Sequence, residues 1–216
     1  MFDARLRPLI DPPLNALGHA LARRGLGANA VTLAGLIPAL AAAAAIAHQH
    51  YLAALALILL NRLCDGLDGA VARASAPSDF GGYLDTLADY VFYVAVPVGF
   101  GLAAAGNTIP AMLLIASFTL TCASFLVFAA IAANRGQQTT AHGTKSFFYS
   151  TGLAEGGETI AAFVAMCLWP RHFPAIAAGF AGLCLLTVVQ RSLLARREFA
   201  PARAAPTAGD SLDGPA

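Results

Sequence analysis

Charged side chains are scarce in this sequence. Asp, Glu, Lys and Arg together make up 12% of its 216 residues, whereas hydrophobic residues make up 58%. An ordinary soluble domain carries roughly 25% charged residues, and the mean hydropathy of +0.67 departs from such a domain in the same direction. This composition excludes the usual soluble globular protein and predicts an integral membrane protein.

Three further features that the sequence lacks narrow the class of protein: a basic run, a cleavable signal and cysteines spaced for metal binding. The net charge is +1 and the chain has no Lys/Arg-rich run, so we expect no nucleic-acid partner. The first 25 residues carry charges and three prolines where a signal peptide needs an apolar core, so no cleavable signal is expected. The four cysteines stand singly in apolar stretches without metal-ligand spacing, which is typical of buried hydrophobic side chains rather than disulfides. They are Cys64, Cys122, Cys167 and Cys184.

Long apolar stretches are what the sequence does contain. Because a membrane-spanning helix needs about 20 mostly apolar residues, the pattern predicts six transmembrane helices, at 29–48, 51–74, 81–105, 109–134, 151–169 and 173–195. Leucines recur between charged residues in 1–24, which predicts an amphipathic helix in the membrane interface that Pro12 and Pro13 would kink or restart. The predicted fold is all-α, with one membrane domain over 1–197 and a disordered tail over 198–216.

The distribution of basic residues predicts the orientation. If the N-terminus is cytoplasmic, nearly every loop Arg and Lys falls on the cytoplasmic side, and Arg171 alone lies clearly outside. Arg62 lies within the second span and is not counted as a loop charge. We therefore expect both termini in the cytoplasm.

Four carboxylates lie at the cytoplasmic end of the second and third spans. Asp65 and Asp68 are three residues apart, and Asp85 and Asp89 are four apart, so each pair shares a helix face. Four carboxylates brought together cannot all stay ionised without cations, and hard oxygen ligands favour magnesium, manganese or calcium. The alternative is a structural cluster of helix caps and salt bridges.

Glycines and an arginine accompany these acids. Gly66, Gly69, Gly81 and Gly82 leave room for a bulky ligand to approach the backbone, although small residues also serve close helix packing. Arg73 offers a fork suited to phosphate, or anchors the span at the interface. Metal ions and an arginine that together bind a diphosphate are the groups that enzymes of phosphoryl transfer use.

The stretch from Asp65 to Asp89 resembles the signature of the CDP-alcohol phosphotransferase family. It reads Asp65-x2-Asp68-Gly69-x2-Ala72-Arg73 and then Gly81-x3-Asp85-x3-Asp89, with seven residues between Arg73 and Gly81 where the common pattern has eight. Upstream, "GANAVTLAG" is similar to the family's Pro-Asn-x-x-Thr element, with alanine at position 28 instead of proline. The segment "KSFFYSTGLAEGGET" looks closest to a bacterial inner-membrane branch of the family.

The resemblance implies an enzyme of phospholipid biosynthesis with six transmembrane helices, acting as a homodimer. It implies that Asp65, Asp68 and Asp85 bind two divalent ions, Mg²⁺ or Mn²⁺, with Asp89 beside them in the metal-binding set and acting as general base. The residues implied to contact the CDP moiety are Gly69, Ala72, Arg73, Gly81, Asn29 and Thr32. The acceptor hydroxyl would attack the β-phosphorus of a CDP-linked lipid, such as CDP-diacylglycerol, and expel CMP.

The acceptor is a small alcohol or alcohol phosphate whose identity the sequence leaves open. Lys145, Glu155, Glu158 and Arg191 are candidates for selecting it, but the two glutamates equally suit a helix dipole and the two basic residues equally suit membrane topology. Asn29 and Thr32 equally suit a cap on the first span.

Two other functions use similar residues. A membrane prenyltransferase would hold a diphosphate with aspartates and magnesium, although it has no reason to place Gly69, Ala72 and Arg73 after the acids. A cation- or proton-coupled transporter would use intramembrane acids as an ion path, but its acids should lie near the bilayer midplane between repeats.

Overall fold

The computed structural model describes residues 3–135 and 156–199, and within these ranges it is helical, without β-strands. The α-helices are α1 (Asp3–Arg23), α2 (Ala28–Ala47), α3 (Tyr51–Ala74), α4 (Asp79–Ala103), α5 (Thr108–Asn134), α6 (Gly156–Leu168) and α7 (Phe173–Glu198). Short 3-10 helices at Ala105–Asn107 and Pro170–His172 precede α5 and α7. The all-α prediction is confirmed.

The predicted spans coincide with α2 to α7 to within a few residues at the ends that the structure describes. Four helices are long and apolar enough to cross a membrane: α2, α4, and α5 and α7 with the short helices before them. Helix α3 has 24 residues but carries four charged side chains, and α6 is described from Gly156 onward, over 13 residues. The count of six spans therefore stays a prediction.

Helix α1 continues through Pro12 and Pro13. Of the two effects expected there, a kink or a restart, the restart is wrong, since one α-helix extends from Asp3 to Arg23. Both proline rings are exposed, so the backbone hydrogen bonds that they remove are lost on the face turned away from the bundle. The predicted tail from residue 200 onward lies outside the described residues.

Small residues set the spacing between the helices that frame the site. Helix α2 packs between α3 and α4, and α1 packs against α3. A Cβ atom added to Gly99 of α4 would lie 2.5 Å from the carbonyl oxygen of Ala43 in α2. A Cβ on Gly18 of α1 would lie 2.7 Å from Ala70 of α3. These close crossings, typical of membrane helices, hold α2 against α4, which carries Asp85 and Asp89, and α1 against α3, which carries Asp65 and Asp68.

Aromatic side chains fill the bundle away from the acids. Phe100 of α4 stacks on Phe173 of α7 with ring centroids 4.4 Å apart, and Phe92 meets Phe163 of α6 edge-on at 5.5 Å. On the outside, large apolar side chains such as Leu52 and Leu102 are more than 70% exposed. Such an outer surface suits lipid rather than water.

Candidate active site

The four aspartates come together because a short loop joins α3 to α4. Helix α3 ends at Ala74 and α4 begins at Asp79, so the last turns of one helix stand beside the first turns of the other. Ser78 caps α4, with its Oγ accepting a hydrogen bond of 3.0 Å from the Gly81 amide, a common way to fix a helix start. We refer to this part of the bundle as the α3–α4 end.

Asp68 is the most enclosed of the four acids, at 5% exposed. Thr32 of α2 donates a hydrogen bond of 2.7 Å from its Oγ1 to Oδ2 of Asp68, and the same hydroxyl lies 3.1 Å from the Ala28 carbonyl oxygen. Thr32 therefore does not cap α2, whose N-cap is Gly27; it orients a carboxylate of α3 that lies 36 positions later in the chain.

Asp65 and Asp89 share a partner that the sequence reasoning missed. Nη1 of Arg62 lies 2.9 Å from Oδ1 of Asp89 and 3.5 Å from Oδ2 of Asp65. The Arg62–Asp65 spacing of three residues on one helix was a visible signal, but the contact with α4 depends on how the two helices pack. A basic residue inside a predicted span thus bridges one acid from each predicted pair.

A cavity of about 400 Å³ opens between α2, α3 and α4 at the α3–α4 end. Asp68 and Asp85 line it, whereas Asp65 and Asp89 are not among its lining residues. Its other walls are small or polar side chains from all three helices and the loop, namely Gly27, Ala28, Asn29, Thr32, Gly69, Ala72, Ser75, Ala76, Pro77, Ser78, Gly81 and Gly82. Five of the six residues predicted to contact CDP therefore face one space.

Arg73 is the sixth of those residues and points elsewhere. Its Nη2 donates a hydrogen bond of 2.9 Å to Oδ1 of Asn15 in α1, and its Nη1 lies 3.3 Å from where a Cβ on Gly69 would be. The side chain is exposed and lies at the edge of the cavity rather than in its lining.

Of the glycines in the signature, one serves close helix packing and two leave room for a ligand in the cavity. Gly66 serves packing, because a Cβ there would lie 2.9 Å from Leu14 of α1. Gly81 lines the cavity, and its Cβ would come within 3.1 Å of Oδ1 of Asn29. Gly82 also lines the cavity, with nothing within 4 Å of such an atom. Close packing and open space coexist in the same stretch.

The candidates for acceptor selection are spread more widely. Arg191 of α7 is half-buried against α5, where its Nη1 lies 3.0 Å from the Thr121 carbonyl oxygen and 2.7 Å from Oγ of Ser124. Glu158 is in the first turn of α6, two residues after Gly156, where a Cβ would lie 3.6 Å from the Tyr93 hydroxyl oxygen. Lys145 and Glu155 lie outside the described residues.

The donor set suits a hard divalent cation, being four carboxylates from two adjacent helices. Within residues 3–135 and 156–199, however, no three His, Cys, Asp or Glu side chains converge closely enough to hold a metal ion as they stand. The contacts of Asp68 with Thr32, and of Asp65 and Asp89 with Arg62, occupy carboxylate oxygens that a metal would use. A metal ion bound there would have to displace these contacts.

The apolar outer surface and the carboxylate-lined cavity define an all-α membrane protein with a polar ligand site, and comparison with known proteins gives its family. A model of the CDP-alcohol phosphatidyltransferase family matches residues 26–189. The chain is 43% identical over 192 residues to the inner membrane protein YnjF of Escherichia coli K12, covering 88% of this chain and 93% of that protein. This protein therefore belongs to the CDP-alcohol phosphatidyltransferase family and is a membrane-bound transferase of phospholipid synthesis.

Other relatives agree with this placement. An archaetidylinositol phosphate synthase of Pyrococcus horikoshii is 32% identical over 100 residues, 46% of this chain and 53% of that one. The fold is similar to that of Mycobacterium tuberculosis phosphatidylinositol phosphate synthase (PgsA1) crystallised with CDP-DAG bound, with a TM-score of 0.63 at 22% identity over 89% of this chain and 98% of that chain. A second structure of PgsA1, with manganese and citrate, gives a TM-score of 0.62 at 20% identity over 83% and 87%.

Family membership resolves the choice among the three functions considered from the sequence. The family model extends over α2 to α6 and most of α7, so it includes both the acids and the small residues that follow them. The prenyltransferase and transporter alternatives are set aside.

Proposed function

We propose that this enzyme transfers a phosphatidyl group from CDP-diacylglycerol to the hydroxyl of a small alcohol or alcohol phosphate and releases CMP. The observation that carries this proposal is the cavity of about 400 Å³, where Thr32 of α2, Asp68 of α3 and Asp85 of α4 meet. Its size is in the range of small-molecule sites. The structural neighbour PgsA1 has been crystallised with CDP-DAG, which supports a CDP-linked lipid as donor.

In this proposal, three aspartates bind divalent ions. Asp68 and Asp85 face the cavity. Asp65 joins them as a ligand when its side chain rotates away from Arg62. Two Mg²⁺ or Mn²⁺ ions held there would offset the negative charge of the diphosphate and of the departing CMP. The manganese complex of PgsA1 supports this choice of metal.

The small residues of the cavity receive the nucleotide. Gly69, Ala72 and Gly81 let the CDP moiety approach the backbone of α3 and α4, and Asn29 offers an amide to it from α2. Arg73 reaches the diphosphate by releasing Asn15, since its guanidinium already lies over Gly69. Its five donors suit bidentate phosphate binding.

Asp89 acts as the general base. Its carboxylate accepts the proton of the acceptor hydroxyl while the hydroxyl oxygen attacks the β-phosphorus of the donor, and the bond from that phosphorus to the CMP oxygen breaks. Asp89 is one turn from Tyr93 on α4, and Tyr93 lies against the start of α6. The acceptor therefore enters from the α6 side, with Glu158, Arg191, Glu155 and Lys145 as the residues that select it.

The remaining features of the proposal concern assembly. Helices α2 to α7 form six spans, α1 lies in the interface, both termini and the α3–α4 end face the cytoplasm, and two chains form a homodimer. The clustering of basic residues at one end supports the orientation. Labelling of single cysteines introduced at positions 24 and 171 from either side of the membrane tests it, because the account places only position 171 outside.

The reaction is tested with purified protein, Mg²⁺ or Mn²⁺ and CDP-diacylglycerol, together with a panel of alcohols and alcohol phosphates. We expect acceptor-dependent release of CMP that stops on chelation of the metal. Absence of CMP release with every acceptor, accompanied by turnover of a small CDP-alcohol, would replace the lipid donor by a polar one.

A further inference from the structure

Arg62 is a charged residue in the interior of an otherwise apolar stretch of α3. Its side chain is only 17% exposed, and a buried, unpaired charge would cost several kcal/mol. It lies one helical turn before Asp65, outside the family signature from Asp65 to Asp89 on which the sequence-based assignment rests. Its burial needs an explanation that the signature does not supply.

The guanidinium group of Arg62 is held by two neighbours that leave one nitrogen for the acids. Nε and Nη2 donate hydrogen bonds of 3.0 Å and 2.7 Å to Oδ1 of Asn61. The ring of Phe92 in α4 lies 4.4 Å from the guanidinium carbon, a favourable distance for a cation over an aromatic face. Only Nη1 contacts Asp89 and Asp65.

Asn61 is itself fixed by a third helix. It is 5% exposed, and its Nδ2 donates a hydrogen bond of 2.9 Å to the Gly35 carbonyl oxygen of α2. The orientation of Arg62 thus depends on α2 through Asn61 and on α4 through Phe92. A side chain held from both sides is preorganised and can impose a position on its own partner.

That partner is Asp89, the general base of the proposed function. The 2.9 Å contact uses Oδ1 of Asp89, so a proton taken from the acceptor would go to Oδ2. Without Arg62, Asp89 would be free to turn toward the metal-binding acids and become a ligand instead of a base. A displacement of about 1 Å in a reacting group can cost roughly 100-fold in rate.

The charge of Arg62 has a second consequence. Four carboxylates with one fixed guanidinium carry less negative charge than four carboxylates alone, and the arginine repels any divalent ion that approaches Asp65. A unit charge acting on a doubly charged ion across a few ångström changes affinity by about tenfold or more, even at the dielectric constant of water.

We propose that Arg62 is a positioning residue that fixes Asp89 as the base and keeps divalent-ion binding by the neighbouring acids weaker than these acids alone would make it. This inference rests on the proposed function for its rate effect, but its effect on metal affinity is independent of turnover. The two roles can be told apart because loss of Arg62 should change the two measured quantities in opposite directions: the reaction becomes slower, and metal binding becomes tighter.

The test compares Arg62→Gln and Arg62→Lys with the wild type in the full-length protein. Mn²⁺ dissociation constants come from electron paramagnetic resonance titration without substrate, and kcat and KM come from CMP release. Arg171→Gln is the matched control, because Arg171 is exposed in the short helix before α7, at the end of the bundle where Phe173 stacks on Phe100.

For Arg62→Gln we expect Mn²⁺ binding about tenfold tighter and kcat about 100-fold lower, with KM for CDP-diacylglycerol nearly unchanged. Arg62→Lys keeps the charge but cannot bind Asn61 and Asp89 together, so Mn²⁺ affinity should return to the wild-type value while kcat stays about tenfold low. Arg171→Gln should match the wild type in both measurements.

Weaker or unchanged Mn²⁺ binding in Arg62→Gln would overturn the charge role, and full kcat in either variant would overturn the positioning role. If Arg62→Gln does not fold, the lysine variant decides, because wild-type kcat there contradicts the proposal. If the wild type releases no CMP, the proposed function fails, while the Mn²⁺ titrations still test the charge role.

Discussion

Two openings among the described residues are similar in size and opposite in chemistry. The cavity between α2, α3 and α4 measures about 400 Å³ and holds two carboxylates, whereas the groove between α5 and α7 measures about 360 Å³ and has mostly apolar walls, with Arg191 as its charged lining residue. The guanidinium of Arg191 is already bonded to Thr121 and Ser124. Volume therefore does not distinguish the two openings; their charged lining residues do, and on that ground we propose that the reaction takes place in the cavity.

The largest expected effect comes from removing the base near the cavity. Asp89→Asn keeps the shape and one oxygen acceptor but cannot take a proton, so kcat should fall at least about 1,000-fold. CDP-diacylglycerol binding, measured by isothermal titration calorimetry with Mn²⁺ present, should change little. Full turnover in this variant would remove Asp89 from the chemistry.

The next largest effect contrasts an acid of the cavity with the arginine of the groove. Asp68→Asn should weaken Mn²⁺ binding by about 100-fold, because it removes a buried anionic ligand. Arg191→Gln should leave Mn²⁺ binding unchanged and act, if at all, on KM for the acceptor. Equal losses of Mn²⁺ affinity in the two variants would contradict the claim that the metal binds at the cavity and not at the groove.

A smaller effect follows from filling the cavity with a single methyl group. In Gly81→Ala the new Cβ would lie 3.1 Å from Oδ1 of Asn29, and KM for CDP-diacylglycerol should rise about tenfold, as crowding of a packed site typically costs 1–3 kcal/mol. The control is Gly179→Ala on α7, which has nothing within 4 Å. If both variants leave KM unchanged, the nucleotide does not approach Gly81.

The smallest effect concerns the hydroxyl that orients Asp68. Thr32→Val removes the 2.7 Å hydrogen bond to Oδ2, and Mn²⁺ affinity should fall about fivefold, the equivalent of one hydrogen bond. Thr119→Val on α5 is the matched control, because Thr119 makes the same backbone contact four residues back, to Ile115, as Thr32 makes to Ala28. A similar loss in both variants would show that Asp68 does not need Thr32.

The sequence predicted the helices better than the contacts between them. The second span was expected at 51–74 and α3 is Tyr51–Ala74, since polar residues and glycines bound the apolar runs. Helical spacing placed Asp65 with Asp68 and Asp85 with Asp89, but it did not indicate that Asp68 and Asp85, and not the other two acids, line the cavity. The Thr32–Asp68 contact, in contrast, joins residues 36 positions apart, and only the packing of α2 on α3 creates it.

Two side chains show the limit of reasoning from residue type. Arg62 was set aside as a charge inside a span, yet its guanidinium contacts both Asp65 of α3 and Asp89 of α4, two helices that each pack on α2. Arg73 was predicted to contact the nucleotide, and in this structure it bonds to Asn15, because α1 packs directly on α3. An arginine reaches several partners, so its contacts depend on tertiary structure.

The most direct test of the central claim is an experimental structure of the protein with Mn²⁺ and CDP-diacylglycerol. The account predicts manganese bound by Asp65, Asp68 and Asp85, with the diphosphate against Gly69 and Gly81 in the cavity between α2, α3 and α4. A nucleotide bound in the groove between α5 and α7, or aspartates without manganese beside a bound nucleotide, would contradict it.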